Sequence, residues 1–182
     1  MGDDIRRTDR KLVRECHVFD LYEDTMETST GHTAYWDFLK HNGAASVVPV
    51  TDDGKILMVR QYRNAVDRYS IEIPAGKKDD PSETGLSCAM RELEEETGYR
   101  SDTFEFLIHL VTAIAYCNET IEIYVAKNLV PTAQRLDEDE FIDVIPYDVK
   151  TLHDMILSGE LQDAKSVAAI MAYIVKYHID VT

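Results

Sequence analysis

The sequence is poor in cysteine and contains no long apolar run. Its three cysteines, Cys16, Cys88 and Cys117, are odd in number and lack the spacing of metal ligands. This usage fits a reducing compartment, with the thiols as small apolar fillers. No apolar stretch approaches the roughly 18 residues that a membrane-spanning helix needs, and residues 1–7 contain no apolar signal core. We therefore expect a cytoplasmic protein that makes no contact with a membrane.

Positive charge is also scarce, and several catalytic motifs are missing. The 19 Lys and Arg residues against 34 Asp and Glu residues leave a net charge of −15, which disfavours nucleic acid as a partner. The sequence has no GxxxxGK[ST] or GxGxxG loop and no Ser/His/Asp or Cys/His arrangement, so kinases, dehydrogenases and hydrolases with a covalent nucleophile are disfavoured. An anionic substrate would require local arginines or a bound divalent cation.

The 182 residues suffice for one domain with a small additional layer. Two extended stretches, 11–28 and 32–40, flank the turn cluster 29–31 and predict an N-terminal hairpin. Residues 44–50 and 55–62 predict a second hairpin, and residues 75–80 a loop. Later segments predict four further strands and two C-terminal helices: 71–73, 104–115, 120–126 and 141–145 for the strands, and 149–157 and 164–177 for the helices.

One further helix interrupts these strands. Asp80, Pro81 and Glu83 match the N-cap, the first helical position and the capping-box position of a helix. Gly98 predicts its end. An apolar stripe at helical spacing is expected to face the core and consists of Leu86, Ala89, Met90, Leu93 and Thr97.

The same helix carries a cluster of carboxylates. Glu92 and Glu96 lie one turn apart on one face, and Glu95 lies beside them. Like charges at this spacing destabilise a helix, and a hard divalent cation with oxygen ligands removes the repulsion. The cluster therefore predicts a Mg²⁺ site in which Mn²⁺ can substitute, whereas the alternative for an arbitrary helix is a solvated acidic face.

The run from Gly76 to Tyr99 resembles the signature of the Nudix hydrolases. It contains Gly76, Glu83 and the run Arg91-Glu92-Leu93-Glu94-Glu95-Glu96-Thr97-Gly98-Tyr99, with one loop residue more than the usual pattern between Gly76 and Glu83. The resemblance implies an α+β protein with an α/β/α Nudix sandwich, a mixed sheet and a loop-helix-loop. It also implies that Glu92, Glu95 and Glu96 hold divalent metal and that Arg91 and Glu83 tie the motif together.

Three segments outside this run resemble the ADP-ribose pyrophosphatase branch of that family, namely 59–63, 72–76 and 136–141. The resemblance implies that the backbone carbonyl of Ala75 is a metal ligand. It further implies that Arg60 and Arg63 meet phosphates or the terminal ribose, and that Glu72 lies in the substrate pocket.

The catalytic candidates are Glu95 of the helix and two glutamates of the acidic loop 137–140, Glu138 and Glu140. By the same resemblance, one of Glu138 and Glu140 aligns the attacking water and the other reaches a metal. Which residue does which stays open, and we favour Glu140 as the critical one because it directly precedes the next strand. Taken alone, a run of four acids is more often a solvated loop.

The resemblance also divides the chain into a strand extension over residues 1–42, which would form a homodimer, and a Nudix domain over residues 43–182. Trp36, together with Tyr35, is a candidate for stacking on a nucleobase or for packing in an interface. The implied reaction converts ADP-ribose to AMP and ribose 5-phosphate. The branch commonly has a proline where residues 112–115 have none, so a nucleotide sugar such as GDP-mannose stays an alternative. Others are a non-catalytic nucleotide-sensing domain and an enzyme that removes nucleoside triphosphates.

Overall fold

The computed structural model describes residues 4–138 and 140–182. Asp139 of the predicted acidic loop therefore lies outside the described residues. Contacts between Cα atoms divide the chain into two compact units, one of Met1–Gly43 with Val111–Thr120 and one of Ala44–Leu110 with Ile121–Thr182. None of the described helices is long and apolar enough to cross a membrane.

The first unit contains a three-stranded antiparallel sheet. Its strands β1 (Ile5–Glu15), β2 (Asp20–Thr28) and β3 (Thr33–Lys40) are paired in chain order. The predicted turn before β3 is confirmed, with Gly31 at φ 80°. The predicted hairpin is confirmed as the pair of β2 and β3. Its first stretch, 11–28, is divided between β1 and β2, because the chain also reverses between Cys16 and Phe19, where the Cys16 amide donates to the Phe19 carbonyl at 3.1 Å.

The remaining strands form three sheets. They are β4 (Ala44–Pro49), β5 (Ile56–Arg63), β6 (Arg68–Glu72), β7 (Ala75–Lys77), β8 (Tyr99–Arg100), β9 (Thr103–Val111), β10 (Thr120–Lys127), β11 (Val130–Pro131) and β12 (Ile142–Tyr147). The sheet orders are β7-β4-β10-β9, β12-β5-β6 and β11-β8. Strand β4 runs parallel to β10 and antiparallel to β7, so the four-stranded sheet is mixed, as predicted.

Two predictions about the early strands are wrong. Strands β4 and β5 do not form a hairpin, because only Val50 and Ile56 bridge and the two strands then enter different sheets. Residues Ala75–Lys77 form strand β7 and not a loop, because they pair with Ala44–Ser46 of β4. This pairing places the residues after Pro74 directly beside the central strand.

Strand β4 has helices on both of its faces. Ala45 packs with residues of helix α1 (Gly85–Thr97), and Val47 packs with Leu93 of the same helix. Ala44 and Val48, on the other face, join a core cluster with residues of helices α2 (Val149–Ser158) and α3 (Ala164–Tyr177). A strand that is buried on both faces by helices is the middle layer of an α/β/α sandwich. This architecture confirms the predicted fold class.

Helix α1 begins later than the sequence suggested. Thr84 is the N-cap, its hydroxyl accepting from the Ser87 amide at 3.1 Å. Asp80 instead closes a turn in front of the helix, where its carboxylate accepts from the Ser82 amide at 2.7 Å. The predicted end is confirmed, since Gly98 adopts a left-handed conformation at φ 69°.

The buried face of α1 also differs from the predicted stripe. Leu86 and Met90 are exposed, whereas Glu92 and Glu96 are buried alongside Leu93. The apolar pattern misplaced this face because two carboxylates occupy positions that an ordinary amphipathic helix gives to apolar side chains. The buried glutamates mark the site that this helix carries.

Candidate active site

Glu92 lies against strand β7. A Cβ atom built on Gly76 would fall 1.9 Å from the Glu92 Oε1 atom, so only glycine permits this approach. Burial raises the pKa of Glu92 to about 7, although the neighbouring Arg91 opposes the shift. The carboxyl group of Glu92 is thus held between the helix and the strand that contains Ala75 and Gly76.

Glu96 lies one turn further along α1 and contacts the same strand. Its Oε2 atom accepts from the Ala75 amide at 3.0 Å. The pKa of Glu96 is raised to about 8, mainly by burial and secondly by the charge of Glu92. Two buried carboxyl groups therefore adjoin each other, and each disfavours the ionisation of the other.

Arg91 connects α1 to the loop in front of it. Its guanidinium donates to both carboxylate oxygens of Glu83 at 3.3 Å and to the Lys77 carbonyl at 3.1 Å. It also donates to Glu92 at 2.6 Å and to Glu95 at 3.1 Å. One side chain thus links strand β7, the turn before the helix and two of the predicted metal ligands.

The carboxylates engage protein partners in this structure. Arg91 holds Glu92 and Glu95, and the Ala75 amide holds Glu96. Over residues 4–138 and 140–182, no three acidic, histidine or cysteine side chains already form a cage for a metal ion.

The loop glutamates differ in their surroundings. Glu140 is half-buried, its carboxylate accepts from the Asp137 amide at 3.2 Å, and its charge contributes to the raised pKa values of Glu92 and Glu96. Glu138 lies exposed in a turn. Of the two candidates, the structure brings Glu140 near the buried pair.

Arg63, at the end of β5, forms a second polar group with Glu72. Its guanidinium donates to both oxygens of Glu72 at 2.7 Å, and Lys165 of α3 donates to the same buried carboxylate. Burial would raise the pKa of Glu72, but Arg63 and Lys165 outweigh it and hold the pKa at about 2. The Arg63 charge also stabilises the ionised form of Glu96, so this group adjoins the glutamate pair.

Arg60 points away from this group. Cross-strand pairs alternate between the two faces of a sheet, and the register of β5 and β6 pairs Arg60 with Ile71 and Arg63 with Arg68. Arg60 instead donates to Asp143 at 3.2 Å, and its guanidinium lies 3.8 Å from the centre of the Tyr69 ring. The structure therefore brings only Arg63, of the two predicted arginines, to the glutamates.

Trp36 belongs to the first unit, separate from these residues in the division of the chain. It is half exposed on β3 and borders an open pocket of that unit together with Arg7, Phe38 and Tyr116.

Sequence reasoning missed Lys165. The residue stands 93 positions from Glu72 in the chain, in the first turn of α3, and no local pattern connects the two. Its neighbour Asp163 caps α3 by accepting from the Ser166 amide at 3.0 Å and also pairs with Lys165 at 3.0 Å. The N-cap aspartate was the one local signal available there.

Comparison with known proteins identifies the family pattern. The model of the NUDIX domain matches residues 40–170. A methanol dehydrogenase activator of Bacillus methanolicus is 38% identical over 155 residues, which cover 84% of this chain and 83% of that protein. An ADP-ribose pyrophosphatase of Bacillus subtilis (strain 168) is 37% identical over 155 residues, with the same two coverages. The crystal structure of an ADP compounds hydrolase superimposes with a TM-score of 0.84 at 23% identity, covering 96% of this chain and 95% of that one.

Proposed function

This chain belongs to the Nudix family, and from that membership we propose that it hydrolyses ADP-ribose to AMP and ribose 5-phosphate with Mg²⁺ as its cofactor. The observation that carries the proposal is the pair of buried, adjoining carboxyl groups of Glu92 and Glu96 beside the cationic Arg63. The substrate assignment rests on the 37% identical relative that bears the name ADP-ribose pyrophosphatase.

The residues present suit a hard divalent cation. Every donor at the site is an oxygen, which Mg²⁺ and Mn²⁺ prefer, and burial without enough positive charge raises the pKa of Glu92 and Glu96 to about 7 and about 8. Glu92, Glu95, Glu96 and the Ala75 carbonyl would hold the cation. Bound there, it supplies charge neutralisation on the phosphate oxygens and lowers the pKa of a water molecule.

The other residues of the site bind and orient the substrate. Arg63 is fixed by the buried Glu72, and a fixed guanidinium fork suits phosphate oxygens. Glu140 orients the attacking water, since it lies near the buried pair and its backbone is tied to Asp137. Glu138, exposed in the turn, has the lesser role, and Arg60 contacts the substrate only if the substrate reaches the opposite face of the sheet.

We further propose that residues 1–42 form the dimerisation extension of a cytoplasmic homodimer, with 43–182 as the catalytic domain. Several large side chains of the extension are exposed, namely Leu12, Val13, Val18, Tyr35 and Trp36, and a second copy would cover them. Light scattering after size-exclusion chromatography should give twice the 20.8 kDa chain mass. A mass of one chain at micromolar concentration would refute the dimer.

The activity is tested by incubating the protein with Mg²⁺ and separate samples of ADP-ribose, GDP-mannose, NADH, diadenosine polyphosphates and deoxynucleoside triphosphates. We expect ADP-ribose to be the best substrate. The variant Glu96→Gln should lose about 10²-fold or more in kcat, because a catalytic electrostatic interaction of this kind contributes that much.

Glu94→Gln is the matched control on the same helix. Glu94 contacts Arg135 on the far side of α1 at 3.2 Å, so this variant should keep its activity within about twofold. Equal turnover in Glu96→Gln and the native protein would refute the mechanism. Preference for GDP-mannose or for triphosphates would replace ADP-ribose as the proposed substrate. No turnover of any compound would favour a nucleotide-sensing domain.

A further inference from the structure

Glu122 lies on β10, an inner strand of the four-stranded sheet. None of the roles proposed above involves this residue. Its carboxylate accepts from the Lys78 ammonium at 3.0 Å and from the Tyr124 hydroxyl at 2.9 Å. These bonds hold the pKa of Glu122 below its ordinary value, although burial opposes the shift. The carboxylate is thus ionised and fixed in place from two sides.

The fixed carboxylate of Glu122 lies directly against the first residue of α1. A Cβ atom built on Gly85 would fall 2.3 Å from the Glu122 carboxyl carbon and 2.4 and 2.5 Å from its two oxygens. A side chain on Gly85 is therefore incompatible with the carboxylate in this position. The close approach accounts for a glycine at this first position of the helix.

The contact with Glu122 joins three pieces of the second unit. Glu122 belongs to β10, Lys78 to the loop that follows β7, and Gly85 to the beginning of α1. Arg91 makes a comparable set of contacts about halfway along the helix. Helix α1 is therefore anchored at two separate points on the sheet and its loop.

We propose that Glu122 is a positioning residue of the active site, which sets where α1 begins and so where Glu92, Glu95 and Glu96 stand relative to β7. This inference deepens the proposed function and rests on it. A negative charge at the N-terminus of a helix is also favourable for the helix dipole. Since α1 rises about 1.5 Å per residue as a rigid rod, a displacement at Gly85 reaches the glutamates about two to three turns later.

The test uses Mn²⁺ as the probe, with its free concentration read by electron paramagnetic resonance during a titration of the full chain. Gly85→Ala places a Cβ atom into the Glu122 carboxylate and should weaken Mn²⁺ binding about tenfold or more, in the range found when supporting residues of metal sites are changed. The double variant Gly85→Ala with Glu122→Ala keeps the new Cβ atom but removes the carboxylate that it would clash with. It should recover a measurable part of the lost affinity.

Glu122→Gln is the second variant, because it keeps the shape of the side chain and removes the charge that Lys78 and the helix require. It should weaken Mn²⁺ binding several-fold and lower kcat more than it changes the KM for ADP-ribose. Glu105→Gln is its matched control. Glu105 is also a strand glutamate that holds a lysine, Lys176, and a tyrosine, Tyr177, but its partners lie on α3.

Native Mn²⁺ affinity in both Gly85→Ala and Glu122→Gln would overturn the positioning role. So would an equal loss in Glu122→Gln and Glu105→Gln, or a double variant that binds no better than Gly85→Ala. If Gly85→Ala does not fold, Glu122→Gln and its control decide the question. Failure of the native protein to hydrolyse any substrate while these affinities change as expected would refute the proposed function and leave the positioning role intact.

Discussion

Glu92 and Glu96 are buried carboxyl groups on a helix that also provides an apolar face to the core. Burial raises the pKa of Glu92 to about 7 and that of Glu96 to about 8. Without a bound cation, ionising these groups costs free energy of folding. A cation that binds them must displace the protons, so its affinity rises with pH across this range.

The pH dependence of stability follows from the raised pKa of Glu96. From its ordinary value of 4.5 the pKa rises to about 8 in the folded chain, so the stabilisation is complete below pH 4.5 and is lost as the pH rises through about 8. Glu96→Gln has no proton to lose. In EDTA, this variant should unfold at a higher temperature than the native protein at pH 9, by roughly 2–4 °C for each kcal/mol of relief.

Thermal unfolding followed by circular dichroism at pH 5 and pH 9 measures this difference. It should be small at pH 5, and saturating Mg²⁺ should reduce or reverse it at pH 9, because the ion binds only the glutamate form. A melting temperature of Glu96→Gln below that of the native protein at pH 9 in EDTA would contradict the raised pKa.

At the scale of elements, the site is built where strand β7 meets helix α1. Strand β7 contributes Gly76, which admits the Glu92 carboxylate, and Ala75, whose amide holds Glu96. Arg91 then fastens the helix to the loop through the Lys77 carbonyl and Glu83. Backbone atoms of β7 and side chains of α1 thus form the candidate site together.

Gly76→Ala should abolish most of the activity. The new Cβ atom would fall 1.9 Å from the Glu92 Oε1 atom, so the carboxylate must leave its place. We expect a loss of about 10²-fold in kcat/KM, because misplacing a catalytic group by about 1 Å costs this much. Steady-state kinetics with ADP-ribose measure it.

The control for this variant is Gly54→Ala. Gly54 has φ 82° but open space around its Cα atom, so alanine there costs about 1 kcal/mol of stability through backbone strain and leaves the site untouched. Activity should therefore fall in Gly76→Ala and hold in Gly54→Ala at a temperature where both are folded. Equal activities of the two variants would refute the packing argument.

At the scale of the whole molecule, Glu72 connects parts of the second unit that lie far apart in the chain. Its carboxylate at the end of β6 meets Arg63 of β5 and Lys165 of α3. The adjacent Ile73 amide donates to the Ser166 hydroxyl of α3 at 2.8 Å. Helix α3 is thereby joined to the strands that flank Arg63, the arginine proposed to bind the substrate.

Glu72→Gln should destabilise the protein at neutral pH by about 2 kcal/mol. This is less than the ~3–5 kcal/mol for breaking a fully buried ion pair, because Arg63 stays partly exposed and solvent screens it. The pKa of Glu72 is lowered from 4.5 to about 2, so its stabilisation is complete above pH 4.5 and lost as the pH falls through about 2.

Urea unfolding of Glu72→Gln and the native protein at pH 7 and at pH 3 measures the difference. It should shrink at the lower pH. The exposed Glu160 provides the control Glu160→Gln, which should change stability by less than about 0.5 kcal/mol. A difference between Glu72→Gln and the native protein that grows on acidification would contradict the lowered pKa.

Local patterns in the sequence were enough to predict most elements and the reaction class. Helices α2 and α3, the end of α1 at Gly98 and most strands follow from apolar spacing and from turn residues, which act over a few positions. The opposite directions of Arg60 and Arg63 could also have been read from the sequence, since residues three apart on a strand face opposite ways.

The features that local patterns did not predict depend on contacts between distant segments. Four features arise from the packing of sheets and helices. They are the pairing of β4 with β10 and not β5, the burial of Glu92 and Glu96, the ion pair of Glu72 with Lys165, and the packing of Glu122 against Gly85. Local residue patterns alone were enough to predict a carboxylate-rich helix within a Nudix pattern. The carboxylates of this helix are buried because β7 and β4 cover the face on which they lie. Side chains on that face lose contact with water whatever their chemistry.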